Sequence, residues 1–227
     1  MDPKKLFFDK RILDYCVFCG SVPNTRDHVP SKVLLDQPYP TNLPVVPSCD
    51  KCNNSFSIDE PYLACFIECA SCDSVDLEQL TRDKIRKILS EKPKFKNDLV
   101  SCRTISFSNE VLWMPDAVRV ENVLLKLAKG HVAYEYSEIM VNKPTSLIFK
   151  TVNHATLNEL TYFEKLPKNS VWPEIGSRAF LKNIEMDNKN IWKIVQPDRY
   201  RYSVTYSGAM VVRIMLSEYL ACEVIWQ

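Results

Sequence analysis

Two Cys-x-x-Cys pairs, Cys16 with Cys19 and Cys49 with Cys52, constrain this chain more than any other feature. Two cysteines three positions apart can clamp one ion from a single tight turn, and two such turns complete a closed tetrahedral zinc site. The stretch between them must therefore fold back so that its ends meet. The chain carries nine cysteines, an odd number, and it starts with MDPKKLFFDKR, which has neither the apolar stretch nor the cleavage site of a signal peptide. That combination favours reduced thiols and metal ligation in the cytoplasm over a disulfide framework.

Inside the loop closed by the two pairs lie Asp27 and His28, with Pro30 close behind and Asn42 further along; Asn53 and Asn54 directly follow the second pair. Residues 24 to 29 read as a strand stopped by Pro30, residues 42 to 47 as its partner, and the proline-rich stretch 30 to 41 as the connector. A hairpin results. The second pair then opens a helix, with Ser48 as the expected N-cap and Asn53 in the first turns. Neighbours on a regular strand face opposite ways. Asp27 and His28 can share a site only where the strand bends or at its edge.

The segments CVFCG, TRDHVPSKVL and TNLPVVPSCDKCNNS resemble, in that order, the HNH or ββα-metal endonuclease family, over about residues 13 to 60. The resemblance implies a zinc-stapled hairpin and helix that hydrolyse DNA with a single catalytic Mg²⁺ or Mn²⁺. It implies His28 as general base, Asp27 and Asn53 as ligands of the catalytic metal, and Asn42 as the residue that tethers the loop orienting the histidine. Cys16, Cys19, Cys49 and Cys52 then hold the structural Zn²⁺. The residue types suit these roles: imidazole titrates near neutrality, and carboxylate and amide oxygens are hard donors that Mg²⁺ accepts. An effector of bacterial restriction or anti-phage defence is the biological role that this likeness suggests.

With 227 residues, 46% of them hydrophobic and 25% charged, the chain is long enough for one large domain or two small ones. The expected class is α+β: an N-terminal module over 1–75, a basic helix and linker over 76–100, and an accessory domain over 101–227 that positions, dimerises or docks the module. A helix is expected from about 60 to 72. Another runs from a Thr81 cap to Glu91 with Pro93 beyond its end. Val120, Val123, Leu124 and Leu127 mark a third from Asp116 to a stop at Gly130, and a fourth is expected from His154 to Leu166. Residues 191–196, 199–206, 209–216 and 219–226 read as an antiparallel meander with turns at Pro197-Asp198 and Ser207-Gly208. The stretch Glu218 to Trp226 reads either as an exposed edge for a partner protein or a second copy, or as a strand that completes a monomer's core.

A net charge of +1 argues against binding to DNA by bulk charge alone, which usually goes with a large excess of Lys and Arg. The basic residues Arg82, Lys84, Arg86, Lys87, Lys92, Lys94 and Lys96 cluster in one segment, which reads either as a phosphate-tracking face or as a solvated helix and linker. No apolar run approaches the roughly 18 residues that a membrane span requires. Cys65, Cys69 and Cys72 match the spacing by which radical S-adenosylmethionine enzymes hold an iron-sulfur cluster, but those enzymes need a barrel of about 200 residues. On a helix the three share one stripe, and core packing is expected. Residues 101–227 hold His131 and His154 but no acid-histidine pair. The alternative to a nuclease is a non-catalytic, zinc-stabilised module that binds nucleic acid or protein, since fold never proves activity. The set Asp27, His28, Asn42 and Asn53 favours the enzyme.

Overall fold

The computed structural model describes residues 10–107, 109–167, 173–185 and 192–227. The chain is mixed α and β. It begins with one helical turn, Lys10–Ile12, under the first cysteine pair; the earlier part of the expected lead-in lies outside the described residues. Strands β1 (Thr25–His28) and β2 (Val45–Ser48) pair antiparallel, with Asp27 opposite Val46 and His28 opposite Val45. Helix α1 (Asp50–Phe56) follows at once and α2 (Asp59–Ser71) after a short turn. Cys49, not Ser48, is the N-cap of α1. The Ser48 hydroxyl instead donates to the Cys49 carbonyl, 3.2 Å away, and the side chain is fully buried.

Helix α3 (Asp83–Glu91) starts one residue later than a Thr81 cap would place it, with Arg82 at the N-cap. The Thr81 hydroxyl and amide both donate to the Glu68 carboxylate at 2.7 Å, so Thr81 serves α2 rather than capping α3. Pro93 lies beyond the end of α3, as expected, and also opens a further helix, α4 (Pro93–Ser101), where a missing N–H costs nothing. A short ribbon of β3 (Arg103–Ile105) and β4 (Val111–Trp113) leads to α5 (Ala117–Tyr136). Asp116 caps α5 through the amides of Val118 and Arg119. The helix runs through Gly130 instead of ending there, because that glycine is where Val29 presses against the helix: a Cβ would lie 2.6 Å from Val29 Cγ2.

The last part is a five-stranded antiparallel sheet of β5 (Ser146–Thr151), β6 (Lys193–Gln196), β7 (Tyr200–Tyr206), β8 (Met210–Leu216) and β9 (Leu220–Trp226), in the order β5-β9-β8-β7-β6. Strand β5, which lacks clear alternation, went unread in the sequence. It pairs with β9 from Ser146 opposite Ile225 to Thr151 opposite Leu220. The stretch Glu218 to Trp226 is therefore interior rather than an edge, flanked by β5 and β8, and the sheet ends instead at β5 and β6. Helix α6 (Leu157–Glu164) is shorter than the expected 154–166 span and is capped by Thr156 in a reciprocal capping box with Glu159. Helix α7 (Arg178–Glu185) completes the described helices.

One apolar core joins parts of the chain far apart in sequence. Leu34 and Leu35 of the 30–41 connector, Leu63 and Phe66 of α2, Ile85 of α3, Val120, Leu124 and Leu127 of α5, and Val212, Ile214 and Val224 of the sheet belong to it. A smaller cluster of Ile12, Val17, Phe18, Val29, Val46, Phe56 and Ala133 surrounds the cysteine pairs. Helix α5 serves both.

Candidate functional site

Each cysteine pair has its own local cause. At the first, Gly20 takes φ +77°, a conformation that a side chain disfavours, and its N–H donates to the Cys16 carbonyl at 2.7 Å. The Cys16 N–H donates to the Ser21 carbonyl at 2.7 Å, and the Val17 N–H ties the turn to β2 through the Pro47 carbonyl at 3.1 Å. At the second pair, Asn24 braces the helix start: its Oδ1 accepts from the Asp50 N–H at 2.8 Å, and its Nδ2 donates to Asp50 Oδ2 at 2.5 Å.

All four sulfurs lie within 4.8 Å of one another, and those of Cys19 and Cys49 are 3.7 Å apart. Tetrahedral zinc with bonds of about 2.3 Å separates its sulfurs by about 3.8 Å. The cluster can hold a zinc ion. Among the described residues no other group of three or more Cys, His, Asp or Glu converges in this way. The Cys52 N–H, aimed at the Cys49 sulfur from the first turn of α1, brings that thiol down to about 6, whereas burial pushes Cys52 up. A bound metal takes all four as thiolates.

Along β1 exposure alternates: Arg26 is exposed, Asp27 is buried, and Thr25 and His28 are half-buried. Asp27 turns inward to α5, where Lys126 Nζ stands 2.7 Å from its Oδ2. The contact is ionic, with no hydrogen bond directed onto that oxygen. Lys126 is 1% exposed and also pairs with Glu60, which accepts from the Ser31 hydroxyl at 2.6 Å. Lys126 Nζ in turn donates to Ser31 Oγ at 2.9 Å and sits 5.2 Å from the centre of the Phe56 ring. Two carboxylates thus share one ammonium in a mostly buried place.

Asn53 lies in the first turns of α1, and its Nδ2 is 3.5 Å from Thr25 Oγ1. Thr25 and Asp27, two apart on a strand, share one face. Asn53 and Asp27 therefore lie on the same side of the hairpin. His28 is the last residue of β1, paired opposite Val45 in an unbroken register, so strand alternation turns it to the other face from Asp27. Asn42 is exposed in the turn before β2, while Asp27 is buried. Of the sequence-derived residues, the four cysteines converge, Asp27 and Asn53 share a face, His28 adjoins them along the chain, and Asn42 stands outside the buried cluster.

Sequence reasoning missed Lys126. The signal was present: Arg119, Asn122 and Lys126 recur at helical spacing as a polar stripe beside the apolar one. Arg119 Nε donates to Asp59 Oδ1 at 2.9 Å and its guanidinium lies 3.9 Å from the Tyr62 ring centre, while Asn122 Nδ2 donates to Asp59 Oδ2 at 2.7 Å. The stripe fastens α5 to the start of α2.

The other two sequence motifs are used internally. Cys65 and Cys69 are fully buried in the main core, and burial pushes both thiols up to about 12. Cys72 is only partly buried and approaches Glu68 Oε1 at 3.8 Å. Arg82, 6% exposed, donates to Asp36 Oδ1 at 2.6 Å and to the Val33 and Leu35 carbonyls, and Lys84 Nζ donates to the Lys32 carbonyl and the Tyr39 hydroxyl. Those two cations brace the 30–41 connector instead of facing outward as phosphate ligands. Among the described residues no helix is long and apolar enough to cross a membrane.

No protein family, no curated protein and no solved structure matches this chain.

Proposed function

We propose that the chain is a metal-dependent endonuclease of the HNH type, hydrolysing DNA phosphodiesters at the hairpin and helix formed by β1, β2 and α1. The observation that carries this reading is the buried Asp27 on the same face as Asn53, in a hairpin whose ends are drawn together by four convergent cysteines. The cysteines hold a structural zinc. Asp27 and Asn53 supply the hard oxygens for Mg²⁺ or Mn²⁺. Asp27 and Glu60 carry two negative charges against the single positive charge of Lys126, and a further cation fits that imbalance. When bound, the divalent ion neutralises charge developing on the phosphate and the leaving oxygen.

The remaining chemistry belongs to His28. Its imidazole accepts a proton from the water that attacks phosphorus, and the bond to the leaving ester oxygen breaks as the new P–O bond forms. DNA is the substrate, and because the net charge is only +1 a second copy or a partner protein bound through the C-terminal part brings the nuclease to it. A role in restriction or anti-phage defence rests on the sequence resemblance alone.

One observation favours the alternative, a zinc-stabilised binding module: Asp27 is already matched by the Lys126 ammonium. Supercoiled plasmid separates the two. Purified protein should nick or linearise it with Mg²⁺ or Mn²⁺ and not with chelator, and His28→Ala should lower the rate about 10²- to 10⁴-fold with zinc content unchanged. A His28→Ala protein cleaving within about threefold of wild type removes His28 from the mechanism.

A further inference from the structure

The buried lysine beside Asp27 belongs to no part of the hairpin and helix, yet its ammonium stands 2.7 Å from the proposed metal ligand. It comes from α5, far along the chain, and reaches the site because Gly130, one turn further on, lets the helix approach Val29. Its ammonium has no route to solvent, being 1% exposed, and its neighbours are fixed: Asp27 Oδ2 at 2.7 Å, Ser31 Oγ at 2.9 Å, Glu60, and the Phe18 and Phe56 rings. If stability alone had shaped this position, an apolar side chain of similar volume would serve as well, because desolvating an ammonium and two carboxylates offsets much of their attraction.

We propose that Lys126 is a positioning residue of the metal centre: it holds Asp27 by one oxygen and leaves the other turned to the divalent cation. This rests on the nuclease reading and deepens it, extending the centre from the hairpin and α1 to α5. Carboxylates that ligate metals are oriented by a second group in this way, and removing that group typically weakens metal binding about 10- to 100-fold.

The test uses the full chain and Mn²⁺ as probe. Lys126→Met combined with Glu60→Gln leaves the net charge of the site unchanged while taking away the ammonium beside Asp27, and Glu60→Gln alone, measured beside it, separates the loss of that carboxylate from the loss of the lysine. The expected result is one zinc per chain as in wild type, and an Mn²⁺ dissociation constant, read by calorimetry, raised about tenfold or more. The Mn²⁺ concentration for half-maximal plasmid cleavage should rise in parallel. A second measurement needs no variant: in wild-type protein labelled at lysine nitrogen, Mn²⁺ should broaden the Lys126 signal before those of the exposed lysines.

Unchanged or tighter Mn²⁺ binding in the double variant overturns the proposal, and so does a Lys126 signal untouched at saturating Mn²⁺. Failure of the nuclease reading looks different. Wild-type protein that binds Mn²⁺ with the expected Lys126 dependence but cuts no DNA keeps the positioning role and removes the nuclease, whereas protein that binds no Mn²⁺ removes both.

Discussion

Around the cysteine pairs the buried apolar set is small, seven side chains besides the buried Cys16, and the strands are four residues each. In the C-terminal sheet, β7, β8 and β9 are seven residues each and feed Tyr200, Val212, Ile214, Leu220 and Val224 into a core that continues through α5 and α2. A four-residue hairpin is marginal by itself in water, whereas several long strands packed on a helix are not. The comparison teaches where each region's order comes from. The sheet is held by burial; the hairpin is held by contacts borrowed from α5, and its ends meet at four cysteines that could hold a zinc ion.

The most severe way to break that contrast is to remove the metal. Zinc chelation at neutral pH, or Cys49→Ser, should release one zinc per chain and unfold residues of about 12 to 56, since metal binding and local folding are one equilibrium worth on the order of 10 kcal/mol. Hydrogen exchange should show β7, β8 and β9 still protected. Equal loss of protection in hairpin and sheet would mean that the two regions fold as one unit.

A milder test targets the seam. Gly130→Ala places a methyl 2.6 Å from Val29 Cγ2, and overpacking of this kind costs about 1–3 kcal/mol. Val29→Ala empties the same space. In the double variant the alanine at 130 should cease to be destabilising, because its helix propensity exceeds that of glycine. A urea-denaturation cycle with coupling below about 0.5 kcal/mol would show that α5 and β1 do not press on each other.

The smallest effect concerns the clasp between connector and sheet, where Asp36 meets Arg82 and Arg199 and Gln196 bonds the Asp36 backbone. Burial raises the Asp36 carboxyl, but hydrogen bonding and charge from Arg82, then Arg199, outweigh it and hold it below the ordinary value. A depressed folded value contributes stability above the unfolded-state pKa, near 4. That contribution fades as pH falls through the lower folded value. Asp36 remains partly solvated, so the gain is small. Asp36→Asn should lower the melting temperature by a few degrees at pH 7, and the gap from wild type should close as pH falls below the ordinary carboxylate range. A gap that stays constant with pH would assign the clasp to shape instead of charge.

The elements legible in sequence were those with local causes. The meander showed itself by alternation and by turn residues such as Ser207-Gly208, and four of its strands appear within one or two residues of expectation. The zinc cluster was legible because Cys-x-x-Cys spacing encodes its own geometry. What misled was punctuation read alone. Pro93 lies beyond α3 as read but opens α4 as well, and Gly130 reads as a stop unless the neighbour that needs its missing side chain is known. Strand β5 has no periodic signature, and only its pairing with β9 makes it a strand.

The sequence by itself thus determined the four convergent cysteines, the hairpin with Asp27 and His28 at its end, the helix carrying Asn53, and four of the five strands of the C-terminal sheet. Each depends on residues near one another in the chain, where turn chemistry and periodicity act. Only the tertiary structure decided that β9 is interior, that Arg82 braces the connector, and that Lys126 lies against Asp27. Those outcomes depend on which distant surfaces meet, and a buried charge becomes intelligible only when the opposite charge that repays its desolvation is in view.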